Sequence, residues 1–133
     1  MQYYNFGICE TFNSEKQLRK RLGNNTIFLA LNSTLALEGR IGIGNNIEFE
    51  GDCFFGSGSS IASGSCLKKV NLGKNNQVRQ NSIMADCDAG DDNKFGPFCF
   101  IRDFCSIGNR CIVGSHVEMT RSSISDGVYI SHQ

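Results

Sequence analysis

Two histidines, His116 and His132, are the side chains in this 133-residue chain best suited to moving a proton at neutral pH. An imidazole with an unperturbed pKa of about 6.5 can take a proton from an attacking nucleophile and pass it on. His132 stands one residue from the end of the sequence, in "ISDGVYISHQ". It therefore reads either as a general base or as a surface residue at a terminus that no element ties down. Seven cysteines form the other reactive set. Their number is odd, no Cys-x-x-Cys occurs, and neither histidine has zinc-site spacing from them, so neither a disulfide framework nor a metal site is expected. The acidic run "ADCDAGDDN" (Ala85–Asn93) is read as tight turns, where Asp and Asn bond their own backbone, rather than as a cation site.

Bulk composition removes several function classes. Thirteen basic and thirteen acidic side chains cancel, so no field favours nucleic acid or an anionic membrane. The basic run "KQLRKR" (Lys16–Arg21) reads as the solvated face of a short helix. Apolar runs are too short to span a bilayer, and the start "MQYYNFGICE" lacks a signal peptide's charged and apolar regions. A soluble, cytoplasmic protein is expected.

What must position the reactive residues is a six-residue repeat. A large apolar residue recurs at Leu37, Ile43, Phe49, Phe55, Ile61 and Leu67. After a five-residue step it resumes at Leu72, Val78 and Met84. After a second short step come Ala89, Phe95, Ile101, Ile107, Val113 and Met119, and after a third Ile124 and Ile130. Glycine often follows, as at Gly44, Gly56, Gly73, Gly90 and Gly108. The fourth position on is usually small or aliphatic, and it holds Cys53, Cys99, Cys105 and Cys111. Period six fits neither an isolated strand nor a helix, but it fits short strands joined by sharp turns with two inward side chains each. Three such strands make a triangular coil of about eighteen residues, and stacked coils make a parallel β-helix of about five to six coils over residues 34–133. The four cysteines above are expected to pack as compact hydrophobes. Cys9, Cys66 and Cys87 fall outside that slot and take no role.

A solenoid needs covered ends. Residues 1–33 are expected to supply the N-terminal cap. In "NSEKQLRKRLG", Ser14 and Gln17 form a capping box, Leu18 and Leu22 lie one turn apart, and Gly23 stops the helix.

The repeat resembles that of the hexapeptide-repeat acyltransferases, whose fold is a left-handed parallel β-helix. Within them the likeness runs to the acetyltransferase domain of the bifunctional N-acetylglucosamine-1-phosphate uridyltransferases/glucosamine-1-phosphate acetyltransferases. The segments "FGPFCFIRD" (Phe95–Asp103), "VGSHVEM" (Val113–Met119) and "ISDGVYISH" (Ile124–His132) match "IGPFARLRP", "VGNFVEM" and "LGKGSKAGH" in order and spacing. The resemblance implies a homotrimer, acetyl-CoA as acyl donor, and a small sugar phosphate as acceptor. It places His132 on the general base, Glu118 on the glutamate that helps place the amino group, and Arg102 on the arginine that grips the phosphate. Thr120 stands where the family has a phosphate-binding lysine; Arg121 follows, but neighbours on a strand face opposite ways. His116 falls on an aromatic packing position. The family's later coils, which form the acetyl-CoA groove, and its uridyltransferase domain find no counterpart, so the chain is expected to be incomplete for catalysis by itself. Two readings stay open: a sugar N-acetyltransferase lineage member, or a non-catalytic trimeric scaffold that binds an anion or sugar phosphate.

Overall fold

A computed structural model of the chain describes residues 1–23 and 26–131. The expected repeat is its backbone plan. The large apolar residues stack in three columns, one per side of the prism. Ile43, Ile61, Val78, Phe95, Val113 and Ile130 are register partners down one side. Leu37, Phe55, Leu72, Ala89, Ile107 and Ile124 line the second. Phe49, Leu67, Met84, Ile101 and Met119 line the third. All these pairings are parallel, and the solenoid makes about six turns. From Leu37 to Met119 every member except Ala89 is buried.

Within a strand, side chains alternate, so the residue two before each large one must also point inward. This slot holds Ile41, Ile47, Cys53, Ser59, Ser65, Ser82, Cys99, Cys105, Cys111 and Val117, all buried. The rule also covers the five-residue steps. There the slot lies three residues after the previous large residue, which puts Val70 and Cys87 inside, both buried. Cys87 is thus a core residue, in register with Val70 on one side and Cys105 on the other. Each short step turns its corner on a single left-handed residue: Lys69 (φ 51°), Asp86 (φ 53°) or Arg121 (φ 46°).

Two slots hold amides rather than small or aliphatic groups. Asn76 and Asn93 are fully buried and form a ladder between turns. Asn76 donates from Nδ2 to the Gly90 carbonyl (2.8 Å), and its Oδ1 accepts from the Asn93 backbone N–H (3.0 Å). Asn93 donates to the Gly108 carbonyl (3.0 Å) and accepts from the Cys111 N–H (2.7 Å). Buried polar groups survive only when bonded, and here each amide serves backbone groups the corner would otherwise leave bare.

The glycines that follow the large residues have a different task from turning the corner. Gly56 is not left-handed; a methyl group there would sit 2.5 Å from the carbonyl oxygen of Gly73 on the next turn. Corner conformations fall instead to residues such as Gly64 (φ 80°), Asn46 (φ 56°) and Asn75 (φ 56°).

The N-terminal cap contains the expected helix and more. Helix α1 (Glu15–Leu22) opens on Ser14, whose hydroxyl accepts from the Gln17 N–H (3.2 Å), while Gln17 Oε1 accepts from the Asn13 N–H (2.9 Å). Gly23 ends it at φ 84°. Leu18 and Leu22 join the core. Strands β1 (Gln2–Asn5) and β2 (Glu10–Phe12) pair antiparallel with residues 40–43 and 35–37. They close two of the three exposed edges, a role the sequence pattern gave no sign of. Among the described residues no helix is long and apolar enough to cross a membrane.

Candidate functional site

The third side of the prism carries the residues singled out by the sequence. Its strands Phe100–Arg102 and Glu118–Thr120 lie on adjacent turns, with Phe100 opposite Glu118 and Arg102 opposite Thr120. Ile101 and Met119 point inward, so Phe100, Arg102, Glu118 and Thr120 must point out. Residues 18 apart in sequence become rung-to-rung neighbours because one turn consumes 18 residues here.

The four form one polar cluster with a fifth member, Asp103. Arg102 Nη1 lies 2.5 Å from Asp103 Oδ2, and Nη2 lies 3.8 Å from Glu118 Oε1. The Thr120 hydroxyl donates to the same Asp103 oxygen at 3.2 Å. The guanidinium also sits 5.3 Å from the centroid of the Phe100 ring. The Arg102 side chain is 36% exposed and Glu118 58%, so the cluster is open to a solute. Asp103 reaches this position because its corner is a six-residue step with two successive left-handed residues, Asp103 (φ 59°) and Phe104 (φ 68°). It stands where the family motif has proline. That departure was visible in "FIRD", but the carboxylate's direction was not.

The remaining candidates stand apart from this cluster or fall outside the described residues. His132 is outside the described residues. His116 occupies a left-handed corner (φ 61°) and stacks on Phe98, with centroids 5.3 Å apart and planes 14° from parallel. Arg121 is a corner residue, and its N–H donates to the Asp103 carbonyl (3.1 Å). The acidic run is dispersed: Asp86 turns a corner, Asp88 accepts from Asn71 Nδ2 (3.0 Å), and Asp91 Oδ1 accepts from the Lys74 N–H (2.8 Å). Among the described residues no three His, Cys, Asp or Glu side chains converge as a metal site would require.

A shallow cleft of about 190 Å³ adjoins the cluster on the same side. Its lining includes Glu48, Glu50, Cys66, Lys68, Ile83 and Ala85. Lys68 is paired with Glu50 (3.3 Å), and the Cys66 thiol faces Glu48 Oε2 at 3.8 Å. Partial burial pushes the Cys66 thiol up, and the Glu48 carboxylate adds to that. This cleft does not fit acetyl-CoA. Its phosphates would meet two carboxylates, and the one lysine is already paired.

Comparison with known proteins bears on the same region. A family model described as "Bacterial transferase hexapeptide (six repeats)" matches residues 90–121, which include Arg102, Asp103, Glu118 and Thr120. The chain is 31% identical over 104 residues to a protein named "Bifunctional protein GlmU" from Acaryochloris marina (strain MBIC 11017), covering 78% of this chain and 23% of that one. It is 35% identical over 88 residues to the protein of that name from Clostridium beijerinckii (66% and 19%). For the one from Prochlorococcus marinus (strain MIT 9313) the identity is 28% over 134 residues (93% and 30%). The chain thus spans 19% to 30% of the length of these curated relatives.

Proposed function

The chain belongs to the bacterial hexapeptide-repeat transferase family, and from that premise we propose that it is the acceptor-binding unit of a sugar N-acyltransferase. It holds an amine-bearing sugar against the outward cluster of Arg102, Glu118 and Thr120. The observation that carries this reading is that Arg102 meets Glu118 and Thr120, one turn further along the chain, in one solvent-open cluster, by an ion pair to Glu118 and through Asp103 to Thr120, inside the segment the family model matches. In this reading Glu118 accepts a hydrogen bond from the amine, and Arg102 donates to a sugar hydroxyl from the Nη that Asp103 does not hold. His132 is the general base by family resemblance: it removes the proton the amine must lose before it becomes a nucleophile. The cleft beside the cluster carries the wrong charge for the phosphates of acetyl-CoA. The unit assembles as a homotrimer, as the family resemblance implies.

Sedimentation and calorimetry test this together. The parent chain is expected to sediment as three chains and to bind glucosamine saturably near one site per chain, with Glu118→Gln weakening binding at least tenfold. A trimer that binds no amino sugar up to tens of millimolar would leave the non-catalytic scaffold.

A further inference from the structure

Arg102, read alone, is an anion site; read with its neighbours, it is not. One Nη is bound by Asp103, the other faces Glu118, and the ring of Phe100 lies against the guanidinium. One cation between two carboxylates leaves the cluster negative at neutral pH. Asp103 is held there twice, by Arg102 and by the Thr120 hydroxyl, and it is the residue next in sequence to the arginine. A phosphate dianion approaching Arg102 would have to displace a carboxylate that the chain itself keeps at hydrogen-bond distance. It would do so in the field of a second carboxylate, Glu118. An ammonium or amine meets the opposite situation. Asp103 is 46% exposed and Glu118 58%, and among the described residues Asp103 Oδ1 makes no hydrogen bond. Two carboxylates with open oxygens flank the place where an amine would sit.

Building on the proposed function, we propose that Asp103 is a specificity-determining residue that restricts the acceptor to an unphosphorylated amine, a neutral polyol bearing one amino group. It acts by occupying Arg102 and Thr120, the positions that by resemblance face the phosphate, and by adding negative charge where a phosphate monoester would bring more. The site discriminates by repulsion as much as by attraction.

Calorimetric titration of the full chain with glucosamine and with glucosamine 1-phosphate tests this. Glucosamine is expected to bind at least tenfold more tightly, and its affinity to fall as salt is raised from about 50 to about 500 mM, since the attraction is to partly exposed carboxylates. In Asp103→Asn the amide oxygen can still accept from Thr120 and Arg102, but the carboxylate's charge is gone and its hold on Arg102 is weakened. The phosphate ester is expected to gain at least tenfold, and the preference to shrink or invert. Equal or tighter binding of the phosphate ester by the parent chain would overturn the inference while leaving the proposed function standing. So would an unchanged preference in Asp103→Asn. Binding of neither sugar would overturn both. The salt dependence is read on the parent chain alone, so the test does not rely on the variant folding.

Discussion

Asn93 is the residue whose removal the structure makes most informative. Its side chain is fully buried and bridges two turns, donating to Gly108 O and accepting from Cys111 N–H. In Asn93→Ala the Cys111 N–H loses its acceptor where water does not reach, a loss of about 1–3 kcal/mol. Gly108 O fares better, since the Gly90 N–H also points to it at 3.2 Å. The vacated amide leaves a small cavity, adding about 1 kcal/mol. The sum is about 2–4 kcal/mol, read as a lower urea midpoint by circular dichroism. Asn93→Asp sharpens the test. Its carboxyl keeps an acceptor for Cys111 N–H, but when ionised it faces the Gly108 carbonyl with no proton to give. Burial and that carbonyl both raise the carboxyl's pKa in the folded state above about 3.9, its unfolded value. The variant is therefore least impaired below about pH 4 and loses stability relative to the parent as pH rises through the folded-state pKa. An Asn93→Ala midpoint equal to the parent's, or an Asn93→Asp penalty independent of pH, would refute the ladder as a supporting element.

Four further outcomes follow from the packing and the helix cap. Burial pushes the Cys87 thiol up from 9.0 to about 12, so unfolded chains release that proton first, and stability is expected to fall between about pH 9 and 12 by up to about 1.4 kcal/mol per pH unit for this group; urea midpoints at pH 8, 9 and 10 check it. In native protein at pH 8 a thiol reagent should modify exposed Cys9 quickly and Cys66 slowly, leaving the five buried thiols unreacted until the chain is denatured. Gly56→Ala puts a methyl against the Gly73 carbonyl and should cost about 1–3 kcal/mol, whereas Ser14→Ala loses one helix cap and should cost about 1 kcal/mol, both read from urea midpoints.

Much of this fold is written in the side chains, because an apolar residue every sixth position can face one interior only if the chain turns a corner between recurrences. Leu37 through Ile130 give the columns, and the five-residue steps mark the tight corners. What escaped the pattern has a physical reason in each case. Cys87 was missed by counting forward from the previous large residue; counting back two, as strand alternation requires, finds it. Asn76 and Asn93 were passed over because polarity hides an inward position whose hydrogen-bond partners belong to the next turn. Arg102, Glu118 and Thr120 were legible as neighbours because their spacing equals one turn. Asp103 was not, since its direction depends on two left-handed residues at one corner, Asp103 and Phe104, the second of them a phenylalanine. The strands β1 and β2 lie outside the repeat, so its period could not announce them.

The most direct test of the central claim is an amide and arginine side-chain ¹H–¹⁵N spectrum of the chain titrated with glucosamine. The account predicts saturable shifts at the Arg102 side chain and at the amides of Asp103, Glu118 and Thr120. Those of Ser106 and Ser123, on the neighbouring side of the prism, should stay still. Shifts confined to other sides of the prism, or none up to tens of millimolar, would contradict it.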